Sequence, residues 1–290
     1  MSSAQSLETK FPTTEIHPSA IVEDGSTLGA GVQIGPFCHI GPQVVLGDGV
    51  ELMSHVVISG RTELGDGCRV YPHAVLGGDP QHVGYRGEDT GLLVGKNTVI
   101  REGVTMNRGM PDARVNTCVG DNCMFLAYSH VAHDCLVGDN VVFANNVMIG
   151  GHCTIGDGVI MGGGSGLHQF CRVGHHAFIG GMAGVEFDVI PYGMALGGRA
   201  HLGGLNIIGM KRSGMPRSEI HALRHGVKKL FTTGSGKTLR DNASQFVANA
   251  DASAAMKDIA QFILSDSKRK FITPRDRGVL TVGTESDDEA

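Results

Sequence analysis

Leu28-Gly29-Ala30-Gly31-Val32-Gln33-Ile34-Gly35-Pro36-Phe37-Cys38-His39-Ile40-Gly41-Pro42-Gln43-Val44-Val45-Leu46-Gly47 places an aliphatic residue followed by glycine at every sixth position. Stepping outward by six meets Val22 and Ile16 on one side, and Leu52, Ile58, Leu64, Val70 and Leu76 on the other. The phase lapses over Gly77 to Leu93, a glycine-rich and charged stretch, and returns at Val94, Ile100 and Met106. It lapses again from Arg108 to Cys118, then runs from Val119 through Phe125, Val131, Val137, Phe143, Ile149, Ile155, Met161, Leu167, Val173 and Ile179 to Val185.

A period of six fits neither an amphipathic helix nor simple strand alternation. It fits a parallel β-helix with three short strands, and so three hexads, in each coil. Each hexad sends one aliphatic side chain inward and turns at Gly, Asn or Asp. The position four after each aliphatic residue also faces inward, where room is small. Cys38, Cys68, Cys123, Cys135, Cys153 and Cys171, six of the seven cysteines, stand there. They read as small buried apolar groups, with Cys135, Cys153 and Cys171 stacked on successive coils.

The expected organisation is an N-terminal extension over 1–15, a β-helix over 16–192 with loops at 77–93 and 108–118, a helical C-terminal domain over 193–267, and a flexible tail over 268–290. In the helical part, Ser218 is placed to cap a helix through Phe231, and Asp251 one through Met256, Ile259, Phe262 and Ile263. The tail mixes charge, Pro and Gly and ends in an acidic run. Flat bare faces of a three-sided solenoid favour self-association, most simply as a homotrimer.

Composition narrows the function. A formal charge of −5 gives no general case for nucleic acid. No apolar run approaches the roughly 18 residues of a membrane span, and Met1 to Thr14 has no apolar signal-peptide core. The odd cysteine count favours free thiols over a disulfide framework. A cytoplasmic location is expected.

The polar break in the repeat is His130-Val131-Ala132-His133-Asp134-Cys135, followed by Gly150-Gly151-His152-Cys153. With the three-hexad coil as a ruler, His133, Gly151 and Gln169 form a column outside the coil, His168 sits beside Gln169, and Asp134 precedes His152 by one turn. An outward histidine next to a carboxylate suits general base work near neutral pH. A glycine N–H can approach a substrate oxyanion closely. No Ser or Cys nucleophile lies in the column, which favours direct transfer over a covalent intermediate. A zinc site built from histidines of adjacent subunits is the weaker alternative, because His152 falls one position beyond a full coil from His133. Separately, Gly209 to Arg240 carries Lys211, Arg212, Arg217, Arg224, Lys228, Lys229, Lys237 and Arg240 against Glu219, a basic surface suited to an acidic partner.

The His130–Cys135 motif, with Ala144-Asn145-Asn146, Gly151-His152, His168-Gln169-Phe170 and Asn206 to Arg212, resembles the UDP-N-acetylglucosamine O-acyltransferase family over roughly Ile16 to Thr238. The resemblance implies a left-handed parallel β-helix with a C-terminal helical domain, an exception to the usual crossover hand, working as a homotrimer with sites between subunits. It implies transfer of a 3-hydroxyacyl chain from acyl carrier protein to the sugar 3-hydroxyl of UDP-N-acetylglucosamine, the first step of lipid A synthesis. Acyl carrier protein is then a co-substrate, and no cofactor or metal is expected. By the same resemblance His133 is the general base, Asp134 orients it, and Gly151 stabilises the oxyanion. His82, His130, His152, His168, Gln169, Asn206 and Arg212 contact substrate, and Gly181 leaves room for a long acyl chain. The sequence departs from the familiar pattern at His82, where Asp is usual, at Gly84, where Lys is usual, and at Ser213, where a second Arg is usual. Alternatives are the sister N-acyltransferase, whose extra N-terminal domain the residues before Ile16 cannot supply, a β-helix carbonic anhydrase with bound zinc, and a non-catalytic solenoid.

Overall fold

A computed structural model describes residues 13–232 and 237–275. The chain divides into two compact units: residues up to Tyr128 with Ala132–Asp134, and Ser129–Val131 with Cys135 onward.

In the first unit, successive short strands go to three different parallel sheets, and each strand pairs with the third one after it. Ile16 pairs with Ile34, and Leu52 with both Ile34 and Val70, each pair three hexads apart. The second sheet aligns Val22, Ile40, Ile58 and Leu76. The third aligns Leu28, Leu46 and Leu64. The sixfold aliphatic positions are thus stacked ladders, and most lie fully buried inside the coil, including Ile40, Leu46, Ile58 and Leu76. The two lapses in phase are insertions between coils. Val70 pairs with Ile100, five hexads on instead of three, so the first insertion has the length of two hexads. Val94 pairs with Val119 instead of Asp112, which stands three hexads on, so the second is one hexad and one further residue. Both loops are shorter than expected, because strands Val75–Gly78, Gly91–Val94 and Asn116–Val119 extend into their ends. Glycine-rich ends such as Gly77-Gly78 hide a strand from a reading of periodicity.

The second unit repeats the coil. Val131, Ile149, Leu167 and Val185 form one ladder, Val137, Ile155 and Val173 another, and Phe143, Met161, Ile179 and Ala195 a third. Cys135, Cys153 and Cys171 stack inside it fully buried, and their thiols donate to the carbonyls of Gly150, His168 and Val185. Burial pushes the Cys171 thiol up to about 12, so it stays protonated and inert.

Helices begin later than position 193. Gly193–Leu196 still pairs in parallel with Phe178–Ile179 and turns back antiparallel along His201–Leu205. Four helices follow: α1 Ile207–Arg212, α2 Arg217–Leu230, α3 Leu239–Ala248 and α4 Ala254–Leu264. The expected caps shift. Pro216, not Ser218, precedes α2, since proline's fixed φ suits the edge of a first turn. Ser253 rather than Asp251 caps α4, accepting from the Met256 N–H. Helix α3 is absent from the sequence-based expectation, yet it opens on a reciprocal capping box between Thr238 and Asp241. The apolar stripe Ile220, Leu223, Val227 and Leu230 is the buried face of α2.

The tail is not loose over its first residues. Lys270 O accepts from the Asp188 N–H at 2.7 Å, Ile272 N donates to Asp188 O at 2.9 Å, and Thr273 O accepts from Leu202 N at 3.0 Å. Ile272 is 3% exposed. Two adjacent apolar side chains among charges, Ile272 and Phe271, whose ring centre lies 6.1 Å from that of Phe262, together with backbone pairing, are enough to dock a segment whose composition reads as coil. Residues 276–290, and 1–12 of the N-terminal extension, lie outside the described residues.

Asp188 is the anchor of this unit. Its fully buried carboxylate accepts from Arg172 N at 2.8 Å, Arg172 Nε at 2.7 Å and Ser267 Oγ at 2.6 Å. Arg172 also reaches Ser265 Oγ at 2.6 Å, and its guanidinium carbon lies 4.5 Å from the centre of the Phe262 ring. Asp188→Ala leaves a mostly buried guanidinium unpaired. It is expected to destabilise the protein by about 3–5 kcal/mol, measured as a lowered urea midpoint.

Candidate active site

In the first unit Asp134 occupies a coil corner at φ +60°, in the left-handed region that Asp tolerates better than most residues. Its N–H donates to Thr117 Oγ1 at 2.8 Å, which fixes the corner. Its carboxylate accepts from His133 Nδ1 at 2.8 Å, from Met110 N at 3.1 and 3.2 Å, and from Arg114 N at 3.0 Å. The backbone N–H partners can only donate, which suits an ionised acceptor, and facing such an acceptor His133 carries its proton on Nδ1. Nε2 of a neutral His133 is then the nitrogen with a lone pair to offer.

The second inserted loop exists around this carboxylate. It turns on Met110, whose carbonyl accepts from Ala113 N and Val115 N. At its neck, a Cβ on Gly109 would lie 2.4 Å from Val115 O, so only glycine fits. Met110 and Arg114 reach this carboxylate through backbone N–H groups, and Thr117 holds the corner through a small hydroxyl. The sequence signal for them is the lapse of phase itself, not their identities.

The spacing predicts His133 and Asp134 on an open outer wall. They lie outside the coil but are not open: His133 is 5% exposed and Asp134 0%. The inserted segments provide the cover that a ruler of three hexads omits. The first brings His82 against His133, with ring centroids 5.5 Å apart and edge to face. That loop is fastened by Asn107 Nδ2 donating to Asp79 O at 2.8 Å and by an ion pair between Arg108 and Asp79. His82 is exposed, and its Nδ1 accepts from Gly84 N at 3.1 Å. A Cβ at position 84 would stand 3.1 Å from that nitrogen, tighter than ordinary contact. The two departures at His82 and Gly84 therefore belong together: this ring packs where a larger residue at 84 would crowd it. The bond also leaves the proton of a neutral His82 on Nε2.

The second unit holds the remaining candidates. Gly151 is buried, its carbonyl accepts from Phe170 N at 3.0 Å, and its N–H has no acceptor among the described residues. His152, at φ +63°, stacks flat on Phe170 with centroids 4.5 Å apart and planes 5° apart. His130 leads the strand that pairs with Met148–Ile149. His168 and Gln169 are exposed, and the tail reaches both: Arg269 Nε donates to Gln169 O at 3.0 Å and its terminal nitrogen contacts His168 Nδ1. Lys268 Nζ lies 4.3 Å from the centre of the Phe170 ring. Lys268 and Arg269 escape the sequence analysis because the tail reads as coil. Gly181 is exposed, and the nearest atom a Cβ there would meet is Gly163 O at 3.4 Å, so the chain itself leaves that spot open. Asn206 is largely spent on architecture: Oδ1 caps α1 through Gly209 N at 2.9 Å, and Nδ2 donates to His176 O at 3.0 Å. Arg212, in the last turn of α1, is exposed.

Stacked hexapeptide coils interrupted by loops, with an oriented histidine and a helical C-terminal segment, define a hexapeptide-repeat transferase. Residues 44–78 and 116–151 match the bacterial transferase hexapeptide (six repeats), and residues 188–272 match domain 2 of UDP N-acetylglucosamine O-acyltransferase. The chain is 56% identical over 261 residues to the acyl-[acyl-carrier-protein]--UDP-N-acetylglucosamine O-acyltransferase of Brucella ovis, covering 90% of this chain and 93% of that one. It belongs to the UDP-N-acetylglucosamine O-acyltransferase family. Among solved structures, the UDP-N-acetylglucosamine acyltransferase of Campylobacter jejuni superposes with a TM-score of 0.84 at 35% identity, covering 90% of this chain and 100% of that one. The enzyme of Francisella novicida gives 0.86 at 32% identity, with 90% and 95% covered. The fold is accordingly a left-handed parallel β-helix followed by an α-helical segment.

Removing the carboxylate should be felt by the loop before any chemistry. Asp134→Ala strands the buried Met110 N–H, at about 1–3 kcal/mol for an unsatisfied buried donor, and releases the part-buried Arg114 N–H. Faster amide exchange at Met110 and Arg114, with a lower melting temperature, is the expected result.

Proposed function

We propose that this chain transfers a 3-hydroxyacyl group from acyl carrier protein to the 3-hydroxyl of UDP-N-acetylglucosamine, the first step of lipid A synthesis. The observation that carries the proposal is the His133–Asp134 pair: an imidazole held by a buried carboxylate with Nε2 as its basic nitrogen, on a chain of this family.

In the proposed mechanism both substrates are bound together. His133 Nε2 takes the proton of the sugar hydroxyl as its oxygen attacks the thioester carbonyl carbon. The Gly151 N–H, which no described protein group accepts, stabilises the tetrahedral oxyanion. Collapse breaks the carbon–sulfur bond, and the departing pantetheine thiolate takes the proton from the imidazolium. Asp134 remains ionised throughout and holds the ring. His82, His130, His152, His168, Gln169, Asn206 and Arg212 are proposed to bind substrate, with His82 offering Nε2–H as a donor to the sugar. The exposed cations Lys211, Arg212, Arg217, Lys228 and Lys229 favour an acidic protein such as acyl carrier protein. Gly181 is proposed to admit a long acyl chain. The working form is proposed to be a homotrimer in the cytoplasm, and no helix among the described residues is long and apolar enough to cross a membrane.

Mass spectrometry after incubation with UDP-N-acetylglucosamine and acyl carrier proteins of graded chain length should detect the acylated sugar. Absence of product at every length would sink the assignment. His133→Ala is expected to lower turnover by about 10² or more with the trimer intact by gel filtration, and near-normal turnover would remove His133 as the base. The sister N-acyltransferase predicts acylation only of a sugar amine. A zinc-dependent lyase predicts loss of activity on chelation, whereas acyl transfer is expected to survive exhaustive dialysis against a chelator.

A further inference from the structure

Three groups in the second unit meet at one point: the His168 ring, the Gln169 carbonyl and the Arg269 guanidinium. His168 Nδ1 lies 3.4 Å from Gln169 O, close enough for a ring protonated on Nδ1 to donate there. Arg269 occupies both ends of that contact. Its Nε donates to Gln169 O at 3.0 Å, and its terminal nitrogen contacts His168 Nδ1. A guanidinium only donates and does not lose its proton in proteins. The Nδ1 facing it must therefore accept, and a neutral His168 carries its proton on Nε2.

The arginine is held in place rather than resting on the surface. Its own N–H donates to Ser267 Oγ at 3.0 Å, and that hydroxyl donates to the buried Asp188 at 2.6 Å. The pairing of Asp188 with Lys270 and Ile272 fixes the next residues. Lys268 adds a second contact over Phe170, the ring on which His152 stacks.

We infer that Arg269 is a positioning residue that sets the tautomer of His168, presenting Nε2–H to the substrate as a hydrogen-bond donor. The consequence for substrate rests on the reading of His168 as a substrate contact; the tautomer itself does not. Without Arg269 the ring can turn its proton onto Nδ1 toward Gln169 O, and Nε2 becomes an acceptor. A substrate acceptor group would then face a lone pair.

Two measurements test this on the full chain. Side-chain ¹⁵N–¹H correlation spectra of histidine-labelled protein read the tautomer directly. The wild type is expected in the Nε2–H form at His168, and Arg269→Ala is expected to gain the Nδ1–H form. Arg269→Lys, which keeps one donor for Nδ1, is expected to restore much of the Nε2–H form. In acyl-transfer assays Arg269→Ala is expected to raise the sugar-nucleotide KM about tenfold, as loss of one well-placed donor does, with kcat little changed. The same substitution in a His168→Ala background is expected to add almost nothing, since the arginine acts through that ring. An unchanged tautomer in Arg269→Ala, or an equal effect with and without His168, overturns the inference. A wild type that transfers no acyl group would sink the proposed function, and the spectra would still decide the role of Arg269.

Discussion

The coil closes every three hexads because the backbone then returns to hydrogen-bonding distance of itself, and everything else in the molecule is measured from that closure. Strands as short as Gln33–Ile34 or Glu51–Leu52 are not stable alone. They persist because each is paired in parallel above and below and sends one aliphatic side chain into a narrow interior. The interior accepts little else, which is why a thiol rather than a larger group stands at Cys135, Cys153 and Cys171.

A scaffold so regular has no place of its own for a buried charge. Asp134 is accommodated because the second insertion, little more than a hexad, forms a turn whose Met110 and Arg114 N–H groups point at its carboxylate. The ionised carboxylate orders the turn, and together with His133 Nδ1 the turn satisfies the carboxylate. The first insertion contributes the neighbouring imidazole of His82, whose orientation depends on the glycine at position 84. The regular part of the chain supplies distance, and the irregular parts supply environment.

How far this is legible in the sequence follows the same division. Hexad phase locates the strands and the inward cysteines, because periodicity is written in residue types. The pairing of His133 with Asp134 is legible from their adjacency and the resemblance. The burial of both is not, since it comes from segments with no period, and donors such as the Met110 N–H belong to any residue. Helix limits fail where backbone geometry outranks side-chain type, as at Pro216, and α3 goes unseen because it buries little more than Ala243. Asn206 looks like a binding residue, yet much of its amide is engaged in starting α1 and holding His176 O. The docking of Lys268 to Arg275 is invisible because a backbone pairing with Asp188 leaves no mark on composition.

Asp188 collects hydrogen bonds from Arg172 and from Ser267, positions far apart along the chain. During synthesis the coil is finished long before Ser267 emerges from the ribosome. A chain released early, short of that serine, would retain its repeats and the Arg172 contact while Asp188 lacked its hydroxyl partner. The synthesis of Ser267 thereby becomes a folding event for residues made far earlier.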